Sequence, residues 1–166
     1  ALHALENLLH TLETYKNFKF VITYPNADIY NQGLINALDI FQKNNPDQVL
    51  LVKSLGQLRY LSLLKYCELV IGNSSSGLIE APAFYKPTVN IGNRQGGRIK
   101  GGTIIDCDES ISSIKNAINK AMSKDFKNKC STEDNPYGSG GSSDKILNII
   151  KSAPIDNIII KKFYDT

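Results

Sequence analysis

The chain lacks several features that would assign it to other classes of protein. It has no tryptophan, one methionine and three cysteines in 166 residues. No run approaches the roughly 18 apolar residues of a membrane span. The cysteines Cys67, Cys107 and Cys130 lie far apart without any C-x-x-C spacing, which indicates neither a disulfide framework nor a zinc site. We therefore expect a soluble protein of the reducing cytoplasm that holds no metal.

A strong excess of charge of one sign is also missing. The 19 Lys and Arg against 16 Asp and Glu give a net charge of +3, too small and too evenly spread to favour nucleic acid as a partner. The first residues, Ala1–Glu6, do not form a basic segment followed by an apolar one, so no signal peptide is predicted. They run directly into a helical pattern, and we expect a chain cut from a longer polypeptide.

What the chain does have is an alternation of short apolar runs with apolar residues at helical spacing. Strands alternating at this spacing with helices favour parallel βαβ units, and hence an α/β, three-layer Rossmann-like domain with a parallel sheet over residues 1–166. Ligands of such domains bind at the carboxyl ends of the strands. The predicted strands are 19–24, 49–52, 68–71, 88–91 and 103–106; the predicted helices are 1–15, 31–43, 57–66, 78–85, 111–121 (after the N-cap Ser110) and 143–151; 128–142 is predicted to be loop.

The segment from Gly72 to Gly77, G-N-S-S-S-G, lies where a strand should turn into a helix. Its amides and hydroxyls suit a phosphate, while serines that merely cap the helix are an equally good interpretation of the composition. The two glycines match the spacing of a P-loop, but Leu78 and Ile79 replace the required Lys and Ser/Thr. Walker-type ATP chemistry is therefore not expected.

Glu80 should lie about one turn into the following helix. Its carboxylate could accept hydrogen bonds from both hydroxyls of a ribose whose phosphates contact the serines, or it could be a first-turn Glu favoured by the helix dipole. Pro82 removes a backbone donor, so this helix is predicted to be short or bent.

A second loop, rich in glycine and basic residues, follows the strand 88–91. Arg94 and Arg98 could neutralise a diphosphate, although a solvated basic loop is the alternative and is favoured for Lys100. The segment 135–143 is either another anion contact or a capped turn.

Taken in order, these motifs resemble the C-terminal domain of the UDP-N-acetylglucosamine 2-epimerase family, which has a two-domain, GT-B-like fold. Within it the chain resembles the hydrolysing branch used in sialic and legionaminic acid biosynthesis. The resemblance extends from the loop 24–28 to the last helix. The residues that carry it are Val70–Gly77, Glu80, Pro87–Gln95, Gly97–Arg98 and Asn135–Gly138.

This resemblance implies a site for UDP and a UDP-amino-sugar, with no metal or redox cofactor and no nucleic acid or membrane partner. It also implies a parent that is a homodimer or homotetramer. The implied contacts are Ser74 and Ser75 at the diphosphate, Glu80 at the ribose, the backbone around Leu55 at the uracil, and Arg94 at the nucleotide. Ser76 and Gly77 complete the implied set of UDP-binding residues.

The implied reaction of the parent is anti elimination of UDP to a glycal-like intermediate, then addition of water with inversion at C2 to give a ManNAc-type sugar. The family's proton-transferring carboxylates belong to an N-terminal domain. The catalytic residues are therefore unassigned here, Asp28 and Asp106 do not fill that role, and this chain alone is expected to be inactive. Two alternatives are open: the nucleotide-binding half of a GT-B glycosyltransferase, and a non-catalytic binding or regulatory module.

Overall fold

The computed structural model describes residues 1–25 and 31–154 and consists of short parallel strands connected by helices. The strands are β1 (Phe20–Thr23), β2 (Val49–Val52), β3 (Val70–Gly72), β4 (Thr88–Ile91) and β5 (Ile104–Cys107). The helices are α1 (Leu2–Leu12), α2 (Gln32–Asn44), α3 (Gly56–Tyr66), α4 (Ser76–Ile79), α5 (Ile111–Met122), α6 (Lys124–Cys130) and α7 (Ser142–Ser152), with a 3-10 turn at Ala81–Phe84.

The described strands pair in two groups, and every pairing is parallel. β1 pairs with β2, whereas β4 lies between β3 and β5 with Val89 opposite both Ile71 and Ile105. The predicted α/β class with parallel strands is thus confirmed. The carboxyl ends of β3, β4 and β5 lie side by side, so the loops that follow these strands meet at one edge.

Helices cover both faces of β4. Val89 and Ile91 point into the apolar core, whereas Thr88 points to α4, where a Cβ atom on Gly77 would lie 2.9 Å from Thr88 Cγ2. Gly77 therefore permits the close approach of α4 to the sheet, and the three-layer prediction is confirmed. The core residues are Leu9, Leu12, Leu38, Phe41, Val49, Val89, Ile91, Ile114, Ala117, Ile118 and Ala121.

The predicted helix 78–85 is divided into the four residues of α4 and the 3-10 turn. Pro82 lies in the first positions of that turn, where its missing N–H is tolerated, and Tyr85 ends the turn with a left-handed φ of 56°. The expectation of a short or bent helix is confirmed.

Helices α5 and α6 differ in how well the sequence predicted them. Ser110 caps α5 as expected, since its hydroxyl accepts the N–H of Ser113. The prediction of loop for 128–130 is wrong, because α6 continues to Cys130 and buries Phe126 and Cys130 against the domain. Two apolar residues one turn apart give too short a period to recognise in sequence.

Helix α7 is confirmed but packs loosely. It buries no residue, and its apolar side chains Ile146, Leu147, Ile149 and Ile150 are exposed. No helix in the described ranges is both long and apolar enough to cross a membrane.

Candidate functional site

The loop between β3 and α4, which we call the serine loop (Asn73–Ser76), lies at the carboxyl edge of the three-stranded sheet. Within it the Ser74 hydroxyl accepts the N–H of Ser76 at 3.4 Å, and the Ser74 carbonyl accepts the N–H of Gly77 at 3.2 Å. In the part of the chain that the structure describes, the amides of Ser74 and Ser75 donate no hydrogen bond. These two donors are available to an anion.

The alternative that the serines simply cap a helix accounts for part of this loop, since the Ser74 hydroxyl accepts the N–H of Ser76, the first residue of α4. Ser75 is the N-cap of α4, but its side chain makes no capping hydrogen bond. Helix α4 has four residues, too few for the aligned peptide dipoles to sum to a strong field. An anion in this position would be held by individual amides and hydroxyls.

Glu80 follows α4 and carries an unpaired carboxylate oxygen. Its backbone N–H donates to the Ser76 carbonyl at 2.9 Å, which fixes it one turn from the serine loop. Glu80 Oε2 is buried and has no hydrogen-bond partner among the described residues. Burial without a partner is unfavourable for a carboxylate, so this oxygen is suited to accept hydrogen bonds from a ligand.

Four other buried side-chain atoms in the described chain lack a partner, and all are neutral: Thr88 Oγ1, Asn90 Oδ1, Gln95 Oε1 and Thr103 Oγ1. Glu80 is distinguished from them by being a carboxylate, whose desolvation costs more than that of an amide or a hydroxyl. Among these atoms it is the strongest indication of a missing hydrogen-bond donor.

Tyr60 of α3 also contacts the site, and sequence reasoning missed it. Its half-buried phenol is hydrogen-bonded to Ser76 Oγ. Burial raises the pKa of Tyr60, the hydrogen bond to Ser76 lowers it, and the nearby Glu80 raises it, with a net rise above the ordinary value. The phenol is therefore protonated at neutral pH. Its position in a predicted helix gave no signal of this contact, because Ser76 is 16 residues away.

The glycine-rich loop after β4 is tied to the serine loop through Asn73. Gln95, only 5% exposed, donates from Nε2 to the Asn73 carbonyl at 2.8 Å, and the exposed Arg94 donates from Nη1 to Asn73 Oδ1 at 3.4 Å. Gly92 begins this loop with a φ of +73°, a conformation that favours glycine. The structure thus brings Arg94 to the serine loop, whereas it gives Arg98 no side-chain contact there.

Lys100 and Asp106 form an ion pair, which corrects the prediction of a solvated Lys100. Lys100 Nζ lies 2.8 Å from both carboxylate oxygens of Asp106, and the side-chain amide of Asn90 donates to the same carboxylate at 2.6 Å. Partial burial raises the pKa of Asp106, but the hydrogen bonds from Lys100 and Asn90 and the Lys100 charge outweigh it and hold the pKa below its usual value. Asp106 is therefore engaged in structure.

The segment 135–143 begins with a turn. Asn135 Oδ1 accepts the N–H of Tyr137 at 3.1 Å, and the Tyr137 hydroxyl donates to the Ile99 carbonyl at 3.0 Å. A Cβ on Gly101 would lie 3.0 Å from Pro136, so this turn packs on the glycine-rich loop. Of the two interpretations, the structure favours the turn at Asn135. A cleft of about 530 Å³ separates residues 134–140 from the 3-10 turn.

Leu55 and Asp28 are the other residues considered in the sequence. Leu55 immediately precedes α3 and is half-buried, but no hydrogen bond in the described ranges joins it to the serine loop. Asp28 lies outside the described residues. Nor do the described residues contain a group of three or more His, Cys, Asp or Glu side chains that could hold a metal ion.

A protein-family model for UDP-N-acetylglucosamine 2-epimerase matches residues 1–151. The chain belongs to this family. Among similar epimerases, a hydrolysing GDP/UDP-N,N'-diacetylbacillosamine 2-epimerase of Campylobacter jejuni is 39% identical over 163 residues, which are 97% of this chain and 42% of the relative. The hydrolysing UDP-N,N'-diacetylbacillosamine 2-epimerase of Legionella pneumophila is 32% identical over 88% of this chain and 37% of the relative.

Solved structures share the fold of this epimerase-family chain. S. aureus MnaA, solved with UDP, superposes with a TM-score of 0.71 at 21% identity, over 99% of this chain and 43% of that one. The UDP-GlcNAc 2-epimerase of Methanocaldococcus jannaschii, solved with UDP-GlcNAc and UDP, gives 0.68 at 18% identity, over 90% and 40%. The chain thus spans about two fifths of the length of the relatives it matches.

Proposed function

We propose that this chain is the C-terminal, UDP-binding domain of a hydrolysing UDP-sugar 2-epimerase, whose full-length form acts on UDP-GlcNAc or a related UDP-diacetamido sugar. The observation that carries the proposal is the buried, unpaired carboxylate oxygen of Glu80 beside two unpaired amides of the serine loop, in a member of this family. The names of the Campylobacter and Legionella relatives support the hydrolysing reaction.

In the proposed binding mode the serine loop holds the diphosphate. The amides of Ser74 and Ser75 and the hydroxyl of Ser76 face the phosphate oxygens, and Arg94 supplies positive charge from the neighbouring loop. Gly77 contributes through the shape of the loop, since its own N–H donates to the Ser74 carbonyl. Glu80 Oε2 accepts from the ribose hydroxyls. The uracil contacts the backbone around Leu55.

The proposed reaction of the full-length protein has two steps. A base removes the proton from C2 of the sugar while the bond between C1 and the UDP oxygen breaks, which leaves a glycal-like intermediate and UDP. Water then adds its oxygen to C1, and C2 receives a proton on the opposite face. Both steps need acid–base groups and stabilisation of the departing diphosphate, with no metal or redox cofactor. We assign only the second task to this chain, which alone turns nothing over.

We place this reaction in cytoplasmic biosynthesis of nonulosonic acids of the sialic and legionaminic type, in a parent that is a homodimer or homotetramer. The family membership and the names of the relatives are what support this setting. Sedimentation of the full-length protein tests the oligomer.

The first test is a titration of the 15N-labelled chain with UDP, GDP and ADP followed by NMR. We expect UDP alone to bind, weakly, and to shift the amides of residues 72–80. No binding by any nucleotide, or equal shifts with all three, would contradict the proposed UDP site.

The second test identifies the reaction of the full-length protein by running it in D2O with UDP-GlcNAc and with UDP-N,N'-diacetylbacillosamine. Elimination followed by hydration places deuterium at C2 of the released sugar. A GT-B glycosyltransferase would leave C2 unlabelled and would need an acceptor, so a product without deuterium overturns the epimerase assignment.

A further inference from the structure

Tyr60 is a side chain from outside the two loops that contacts a hydroxyl of the proposed site. It comes from α3, which lies beside the 3-10 turn, and its phenol is hydrogen-bonded to Ser76 Oγ. No motif includes Tyr60. Its contact with the first residue of α4 therefore needs an explanation of its own.

Either hydroxyl of this pair can donate the hydrogen bond. A phenol is a much stronger acid than a serine hydroxyl and is therefore the better donor, so in the proposed arrangement Tyr60 donates to Ser76 Oγ. Ser76 Oγ is then the acceptor, and its own proton points away from Tyr60. That proton is available to an anion at the serine loop.

The Ser76 hydroxyl has no helical carbonyl within reach, because Ser76 is the first residue of α4 and no turn of that helix precedes it. Ser62 within α3 and Ser152 at the end of α7 differ in this respect, and they donate to the carbonyls of Leu58 and Asn148. The phenol of Tyr60 is the side-chain partner of Ser76.

We propose that Tyr60 is a positioning residue of the nucleotide site, which orients the Ser76 hydroxyl so that it donates to a phosphate oxygen of the ligand. This inference rests on the proposed function, since it takes the anion to be the diphosphate of UDP. Tyr60 itself does not touch the ligand. Its effect on affinity passes through Ser76.

The test is a double-mutant cycle on UDP affinity, measured by calorimetry or NMR with wild type, Tyr60→Phe, Ser76→Ala and the double variant. We expect Tyr60→Phe to weaken UDP by about 5-fold, close to one hydrogen bond of about 1 kcal/mol. In the Ser76→Ala background the same change should have no further effect. Uridine has no phosphate to accept a hydrogen bond from Ser76. Its affinity for Tyr60→Phe and for the double variant should therefore stay within about 2-fold of its affinity for wild type.

The matched control is Tyr66→Phe, which removes a phenol from the same helix at an exposed position and should leave UDP affinity unchanged. If Tyr60→Phe does not fold, Tyr60→Met removes the same hydroxyl with an adaptable apolar side chain, and the same coupling is expected. Melting temperatures of all variants are recorded alongside.

The outcomes separate the two claims. If wild type binds UDP but the effects of Tyr60→Phe and Ser76→Ala are additive, or Tyr60→Phe behaves like Tyr66→Phe, the positioning role is wrong and the proposed function stands. If uridine affinity falls as much as UDP affinity, Tyr60 acts on the fold of the site as a whole and the proposal is likewise wrong. If wild type does not bind UDP, the proposed function fails first and the positioning role fails with it.

Discussion

Two groups of polar side chains lie at the same edge of the parallel sheet, and they differ in how far their hydrogen bonds are satisfied. In β5, the Asp106 carboxylate is held by Lys100 and Asn90. After β3, Glu80 Oε2 is buried without a partner, next to the open amides of the serine loop. Both groups are close to backbone turns and rich in charge or amide groups, so composition alone does not separate them.

The difference indicates different roles. A carboxylate whose acceptor sites are filled by the protein stabilises the fold and offers little to a ligand, whereas one left unpaired when buried costs stability that a ligand can recover. We therefore assign the Asp106 group to structure and the Glu80 group to binding.

The largest effect that would sharpen this comparison is expected from Glu80→Gln. Replacing the carboxylate removes charge-assisted acceptance from the ribose hydroxyls, so UDP affinity should fall by about 10- to 100-fold. Stability should stay the same or rise, because a buried carboxylate oxygen without a partner is lost. Calorimetry with UDP and thermal unfolding measure the two quantities.

The control for this variant is Glu6→Gln, an exposed carboxylate on α1. An unchanged UDP affinity in Glu80→Gln, or a loss equal to that of the control, would remove Glu80 from the site.

The reverse pattern is expected for Asp106→Ala. This change leaves the Lys100 ammonium and the Asn90 amide without their acceptor, and the free energy of unfolding should fall by about 1–2 kcal/mol, a value kept modest because the Asp106 side chain is half-exposed. UDP affinity should stay within about 2-fold of wild type, since the Asp106 carboxylate is already paired with Lys100 and Asn90. A large loss of affinity without a loss of stability would reverse the assignment of the two groups.

Gln95 connects the two loops, and its replacement should have a smaller effect. Gln95→Met keeps the volume but removes the hydrogen bond to the Asn73 carbonyl, so the serine loop is held less firmly and UDP should bind about 3- to 5-fold more weakly. Stability should change little, because the unpaired Gln95 Oε1 is lost as well. Hydrogen exchange of the Ser76 and Gly77 amides, which donate to Ser74 within the loop, should become faster, and unchanged exchange of both would contradict the role of Gln95.

The smallest expected effect is the pH dependence that Asp106 contributes to stability. Its folded pKa lies below the model-peptide value of 3.8, so the carboxylate stabilises the fold above that value and this contribution is lost as the pH falls through the folded pKa. Acid unfolding curves of wild type and Asp106→Asn should therefore converge below about pH 4 and diverge above it. Parallel curves over the whole range would show that Asp106 is not linked to stability.

Much of the fold could be predicted because its signals are local. The apolar run 49–52 and the helical period of Ile111, Ile114 and Ile118 are visible within a few residues, and Ser110 and Pro82 mark a helix start and a break. Helix α6 was missed because its two buried residues span a single turn. The pairing of strands in two groups follows from contacts between segments far apart in the chain.

The sequence by itself determined the α/β class, the family, and the serine loop with Glu80 at a fixed distance from it, because these depend on short-range spacing and on an ordered series of motifs. Tertiary structure alone decided which polar groups are satisfied. The contacts of Tyr60 with Ser76, of Gln95 with Asn73 and of Asn90 with Asp106 join residues 16 to 22 positions apart. The parallel pairing of β3, β4 and β5 brings the last two contacts to one edge of the sheet, and the packing of α3 against the 3-10 turn brings the first.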